Sequence, residues 1–422
     1  MKKLVLCLFV ICMVRPVRAD LYSALNIVYK TNPVIEQQRT VIDSAYANVK
    51  SAATGLQPYL GLSGNVGAAR TKFGDYTFDY SPLQYGIEFQ QNLFQGGATF
   101  AQIKGAKGEL AAANANLYAV QQNVFLDAIN AYIEVLNAQE VLNLNTNNQR
   151  VLGEYHKYVS DVQAVGRLTK TDVAQAAARL EMAKYSVADA NAKYDNALET
   201  YRRIFGTENQ SCSDVDLEPV EHLFPSDIDS AQEDALRKHP ILCALTAQED
   251  AVKQNITVAY KSILPSVDVR GAIQQIDDVP YLDEVRDSRI GVYLKVPLYD
   301  KGNAFANVEK VRANVAGIQQ QTINARRIIV ENLHQAWNLY QAQSAAIIAA
   351  QASIDANKMA LDGIRDEQAR GRRTVLDVLN AEQELLNSRV AHTRAKHAQI
   401  SAFFAVLSAM GELTPENLGL AE

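Results

Sequence analysis

The sequence predicts a mainly α-helical chain with a small membrane β-barrel portion. Each protomer would supply part of a long coiled-coil-like helical barrel and four β-strands, and three protomers would close a 12-stranded barrel. Three observations predict this. The chain opens on an export leader, one plan of elements is written twice at a near-constant offset, and four stretches of about ten residues alternate apolar and polar side chains.

The leader comes first. Lys2 and Lys3 form a basic end, Leu4 to Val14 is an unbroken apolar run, and Val17 and Ala19 stand at the -3 and -1 positions of a cleavage site. The run is too short to span a bilayer, so residues 1–19 are expected to be a signal peptide. No cysteine follows the cleavage site, so N-terminal lipid attachment is not indicated. The whole chain of 422 residues carries a formal charge of -6. Removing the leader leaves 37 basic against 47 acidic groups, a net charge of -10. No basic cluster suited to phosphates appears, which argues against nucleic-acid binding. Hydrophobic residues make up 48% and charged residues 21%, the balance of a folded chain. No later stretch offers eighteen apolar residues in a row; Ala345 to Ala350 and Ala402 to Met410 are too short. An exported chain without such a helix is either soluble or a β-barrel. Cys212 and Cys243 remain after cleavage, and in an oxidising space they are either a disulfide or two buried thiols.

The repeat comes next. Asp20-Leu21, Ala24 and Pro33 recur as Asp227-Ile228, Ala231 and Pro240, and Leu56-Gln57-Pro58 recurs as Ile263-Leu264-Pro265, all 207 positions apart. Leu93-Phe94 and Gly97 recur as Leu298-Tyr299 and Gly302, and Gly166, Thr169, Asp172 and Val173 as Gly371, Thr374, Asp377 and Val378, now 205 apart. Unrelated landmarks that hold one offset mark a duplication. The first copy is expected over 20–206, a linker over 207–226, the second copy over 227–412 and a tail over 413–422. Each copy runs helix, strand, loop, strand, very long helix, tight turn, long helix.

Strands are expected at about 57–71, 82–95, 264–276 and 288–300. Leu83, Tyr85, Ile87 and Phe89 alternate with Gln84, Gly86, Glu88 and Gln90. Ile290, Val292, Leu294 and Val296 alternate with Arg289, Gly291, Tyr293 and Lys295. A period of two gives a sheet with one apolar and one polar face, and about ten residues cross a bilayer as a tilted strand. Glu88, Asp268, Arg270, Arg289 and Lys295 all fall on the polar side, as a watery lumen requires. The intervening stretches, about Thr71 to Ser81 and Asp277 to Asp287, are read as polar, acidic loops facing water. Four strands cannot close a barrel, and an open edge in lipid leaves N–H and C=O groups unpaired at several kcal/mol each. Two chains would give eight strands, a size that side chains fill; three leave room for a lumen.

The helices are long. From Gly97 the pattern runs to about Val165, a reach of about 100 Å if continuous. Val124, Ala128, Ala131, Val135, Ala138 and Leu142 step by four and three, the spacing of a coiled coil. The second copy gives Ile329, Leu333, Ala336, Tyr340, Gln343 and Ile347.

This plan resembles the TolC family of outer-membrane efflux and secretion ducts. The resemblance covers nearly all of the mature chain. It rests on the duplication, on Pro58 and Pro265 at strand starts, on the turns Val165-Gly166-Arg167-Leu168-Thr169 and Arg370-Gly371-Arg372-Arg373-Thr374, and most on Thr374-Val375-Leu376-Asp377-Val378-Leu379-Asn380-Ala381. It implies a homotrimer with its barrel in outer-membrane lipid and its helical tunnel in the periplasm. The tip is closed at rest and opens when a periplasmic adaptor and an inner-membrane pump, ATP-driven (ABC) or proton-driven, dock. It implies that the turns around Gly166, Arg167, Gly371 and Arg372 meet the adaptor. It also carries gate roles onto Asp172, Arg373 and Asp377. The chain departs from the family at Asn380, where a second constriction aspartate stands, and at Gln368, where a tyrosine stands. Three Asp377 side chains around a threefold axis would repel one another, raise one another's pKa and attract cations. A link from Arg373 to Asp172 would be weak and partly exposed. The plainer reading is that these charges are solvated turn residues and helix caps.

No phosphate loop, dinucleotide glycine pattern or Gly-x-Ser-x-Gly elbow occurs, so no enzyme is expected. His392 and His397 are five apart, off the spacing of helix-borne metal ligands, and read as solvated; no metal or cofactor is expected. The rivals are a soluble periplasmic coiled-coil scaffold, which leaves the four strands unexplained, and a passive porin, which needs more strands and fewer helices.

Overall fold

The computed structural model describes residues 20–206, 212–280 and 282–420; the expected leader, 1–19, lies outside them. Helices α1 (Leu21–Thr31) and α2 (Pro33–Thr54) precede β1 (Tyr59–Val66), β2 (Ala69–Phe73), β3 (Tyr76–Tyr80) and β4 (Leu83–Gln95), and α3 (Ala98–Ala164) and α4 (Lys170–Phe205) follow. A single turn, α5 (Glu218–Glu221), leads to α6 (Ile228–Lys238), α7 (Pro240–Ala259), β5 (Ser266–Val279), β6 (Leu282–Lys295), α8 (Asn303–Ala369) and α9 (Val375–Met410). The long helices match in pairs: α3 and α8 have 67 residues each, α4 and α9 36 each. Pro33 and Pro240 open α2 and α7, where a missing N–H costs nothing. Among the described residues no helix is long and apolar enough to cross a membrane.

The chain divides into two compact units. One takes in Gln37–Leu117 and Pro240–Arg326 and holds the strands. Its main sheet is antiparallel in the order β1-β4-β5-β6, so β1 and β6 are edges and the central pair, β4 with β5, joins the two copies. The register pairs Ile87 with Ile273 and Ile273 with Ser288, and it sorts side chains cleanly. Leu62, Ile290, Val292 and Leu294 share one face and are 85%, 80%, 70% and 67% exposed, so among the described residues nothing covers that part of the face. The opposite face carries Gln84, Glu88, Asp268, Arg270, Arg289 and Lys295. There Arg270 donates from Nε to Asp268 at 2.5 Å and lies over the Tyr293 ring.

Three strand expectations need correction. The stretch 71–81 is no loop: β2 and β3 pair as a separate hairpin, clasped by Arg70 on Asp79. The acidic stretch 277–287 is no loop either, because β5 and β6 stay paired to Val279 and Leu282. Backbone pairing needs no apolar side chain, so the ladder outlasts the apolar pattern. Finally, β6 stops at Lys295 rather than near 300, since Pro297 lacks the N–H that a ladder uses.

The other unit takes in the chain up to Glu36, Tyr118–His239 and everything from Arg327 on. Its core holds Phe125, Tyr132, Phe205, Phe404 and Leu407. The coiled-coil positions Val124, Ala128, Ala131, Val135 and Ala138 of α3 are all buried, as are Ile329, Leu333 and Ala336 of α8. The described part of the expected linker is packed rather than loose. Tyr132 donates to the Ser213 carbonyl at 2.9 Å, and Phe224 stacks on Trp337 and Phe403 at 5.7 and 4.8 Å. The expected tail is also packed, with Leu413 fully buried. Of the two readings for Cys212 and Cys243, the structure gives thiols rather than a disulfide, Cys212 half-buried in this unit and Cys243 exposed in the other. Burial pushes the Cys212 thiol up to about 11, far from a reactive thiolate. His397 is buried, against the expectation that it is solvated, and donates from Nδ1 to the Thr393 carbonyl.

Candidate functional site

The α3–α4 and α8–α9 turns hold nearly every residue singled out above, and they share one backbone. Gly166 has a φ of 79° and Gly371 a φ of 76°, the left-handed region that glycine enters without strain. Gly166 donates to the Gln163 carbonyl at 2.8 Å and Arg167 to that of Val162 at 3.2 Å. Gly371 donates to Gln368 and Arg372 to Glu367, both at 2.9 Å. Two such bonds from the residues just past a helix satisfy its last carbonyls, and both helices therefore stop at the same point. Gly166, Arg167, Gly371 and Arg372 are exposed, so both turns offer arginine to solvent.

Three residues past each glycine a threonine opens the next helix. Thr169 accepts from the Asp172 N–H at 3.2 Å, while Asp172 accepts from the Thr169 N–H at 2.9 Å and from its hydroxyl at 2.8 Å. Thr374 and Asp377 repeat this in the same order, with 3.2, 2.9 and 2.9 Å. Each pair is a reciprocal capping box that satisfies orphan N–H groups. Within the protomer both acids are therefore cap residues. The Thr374 N–H and hydroxyl, and after them the nearby Arg373 cation, hold the Asp377 carboxyl below the usual carboxylate range. That direction is opposite to the one expected from mutual repulsion of three such acids.

The expected Arg373–Asp172 link is absent from the protomer. Arg373 instead donates from Nε to Glu367 Oε2 at 2.9 Å, and both side chains are about half exposed. Asn380 is held from α4, where Arg179 Nη2 donates to its Oδ1 at 2.8 Å. Gln368 is half-buried in the last turn of α8, its carbonyl taken by Gly371. Pattern reading missed Arg179 because its partner is distant in sequence. It also missed the Arg365–Glu382 pair that ties α8 to α9. The plainer reading of both acids as helix caps is the one the protomer shows, and the Thr-x-x-Asp spacing is the signal that could have named them capping boxes.

Under the turns lie two apolar clusters. One joins Leu152 and Val159 of α3, Ala176 and Ala183 of α4, and Val375 and Leu379 of α9, with Leu168 of the first turn packed on it. The other joins Leu361 of α8 with Val378 and Leu385 of α9. Tyr155 touches both. Its hydroxyl is buried without a hydrogen-bond partner, and burial pushes it up to about 12. Among the described residues no group of acids, histidines and cysteines could hold a metal.

A four-stranded sheet with an apolar face open to the outside, on a chain whose long helices end in two matched capped turns, defines a membrane-channel protomer of helical-tunnel type. The family described as "Outer membrane efflux protein" matches residues 24–207 and 231–412, and the chain belongs to it. It is 27% identical over 402 residues to the outer membrane efflux protein BepC of Brucella suis, covering 95% of this chain and 87% of that one. It is 25% identical over 383 residues to the outer membrane protein TolC of Vibrio cholerae, covering 89% and 87%. The fold is similar to that of the CmeC outer membrane channel of Campylobacter jejuni, with a TM-score of 0.83 at 19% identity over 93% of this chain and 86% of that one.

Proposed function

We propose that the chain is one protomer of a homotrimeric exit duct in the outer membrane, serving a tripartite efflux or one-step secretion system. One observation carries this: the main sheet has two open edges, β1 and β6, and an apolar face on which Leu62, Ile290, Val292 and Leu294 are exposed. In water such a face would aggregate, and in lipid such edges must be paired. Three copies supply twelve strands, enough for a closed barrel with a lumen lined by the Glu88, Asp268 and Arg289 face. A soluble periplasmic scaffold has no use for either feature. The duct needs no chemistry of its own; a pump in the inner membrane supplies the energy and a periplasmic adaptor joins the two. Families with efflux and secretion relatives share this plan, so the cargo follows the pump.

The two capped turns form the gate, with the second as its moving part. Arg373 and Asp377, with Asn380 in place of a second acid, set the constriction; Asp172 and Gln368 flank it, and the exposed turns around Gly166 and Gly371 receive the adaptor. The mature protein, extracted in detergent and reconstituted in planar bilayers, is expected to run as a trimer and pass small single-channel currents. Asp377→Ala and Arg373→Ser should each raise that conductance. A water-soluble protein that never inserts would sink the duct; currents unchanged in both variants would remove the gate assignment alone.

A further inference from the structure

A second charged feature lies in the strand-bearing unit, where the sheet meets α7 and α8. A cleft of about 720 Å³ opens there between the end of α7, the helix-side ends of β4, β5 and β6, and the first turns of α8. Its lining includes Lys261, Lys295 and Lys310 and not one carboxylate. This stands out in a chain with 47 acidic and 41 basic residues. All three lysines are exposed, and none makes an ion pair among the described residues. Asn255, Asn307 and Asn314 add amide donors. Of the acids close by in sequence, Glu309 beside Lys310 does not line the cleft, Asp268 pairs with Arg270, and Asp300 is already engaged: Ser262 donates to it at 2.8 Å and the N–H groups of Gly302 and Ala304 at 3.1 and 2.7 Å. Its charge is spent on the start of α8.

The register says which side of the sheet the cleft lies on. Ser266 pairs with both Gln95 and Lys295, so the three form a row across β4, β5 and β6 on a single face. All three line the cleft. Asp268 and Tyr293, two residues along, lie on the same face, which is the polar one. The apolar face, with Val267, Leu294 and Phe94, looks the other way. A lipid headgroup meets the apolar face, so it is not the ligand that the geometry favours.

We propose that this cleft is an anion-binding site that faces the lumen and takes oxyanion groups, phosphate or carboxylate, of passing cargo. The direction in which it faces rests on the duct reading above. Threefold repetition would set nine lysines around the passage at one level, and a ring of like charge selects ions of the opposite sign. Exposed ammonium groups bind weakly and are screened over about 10 Å at 0.1 M salt, which suits a site that must release what it holds. The duct would then favour anionic cargo at the strand–helix junction.

The test uses full-length mature protein in detergent and in planar bilayers, with inorganic pyrophosphate as the probe. Wild type should bind pyrophosphate in calorimetry, and pyrophosphate should reduce its channel current. The triple variant Lys261→Gln, Lys295→Gln, Lys310→Gln should weaken both by about tenfold or more, the scale on which focused charge changes local ion concentration. The matching triple Lys→Arg variant should keep both. Equal block and equal binding in the Gln variant would overturn the site and leave the duct standing. A protein that forms no channel yet binds pyrophosphate through these lysines would keep the site while sinking the duct. Should the Gln variant fail to assemble, Lys310→Glu alone decides: undiminished binding overturns the proposal.

Discussion

The two helical turns share a backbone and differ in how they are fastened. Both end on a left-handed glycine and both open the next helix with a Thr–Asp capping box. Between them, however, the first turn carries Leu168, which packs on a six-residue buried cluster. The matching residue of the second turn is Arg373, which reaches a half-exposed Glu367 instead. An apolar side chain seated on a core holds by burial at any salt, whereas an exposed ion pair contributes little and less as salt rises. The molecule thus uses one local geometry twice, pinning it on one side and leaving it releasable on the other. A gate hinged on the second turn would use that asymmetry.

The largest effect should come from the pin. Leu168→Ala is expected to cost about 1.5 kcal/mol in thermal melting followed by circular dichroism, while Arg373→Ala should leave melting unmoved; equal losses would erase the distinction. Next come the glycines. At neither Gly166 nor Gly371 would a Cβ meet any atom within 4 Å, so the left-handed backbone is the whole penalty. Gly166→Ala and Gly371→Ala should therefore each cost about 1 kcal/mol in the same melts, and unequal values would show that the turns are not backbone twins. The smallest effect is that of pH. The Asp377 cap contributes fully above the ordinary carboxyl value of 3.8 and is lost as pH falls through its lowered folded value. Channel conductance should hold steady from about pH 8 to 5 and rise only below the ordinary carboxylate range near 4. A rise beginning at higher pH would mean that repulsion among three Asp377 groups outweighs the cap.

Much of this was legible in the sequence, and the reasons differ by element. The end of α3 at Ala164 was marked by Gly166, because only a residue free to take positive φ closes a helix that way. The faces of β4 and β6 followed from strict alternation. The outer halves of β5 and β6 did not, since Asp277 and Glu284 face each other in a ladder that burial no longer dictates. In β3, Tyr76, Phe78 and Tyr80 alternate clearly, yet the segment is short enough to pass for a loop. At the site, the residue types were legible but their partners were not. The acids' place just behind each turn marked them as caps, whereas the Arg179–Asn380 contact spans 201 positions and leaves no local trace. The packing of Phe224 on Trp337 and Phe403 is equally remote, so a stretch rich in acids and prolines reads as a linker until the fold brings its aromatic ring to a core.

The edges β1 and β6 have a further consequence for how the protein is made. Each copy would offer β1 to one neighbour and β6 to the other, a head-to-tail arrangement that closes only when every copy has both edges intact. A copy with a proline set into either edge could still join one healthy neighbour, and the ring would stay open. In a cell that makes both forms, the damaged chain would therefore poison rings built largely from sound ones, and a lesion in a single edge strand would behave genetically as a dominant trait.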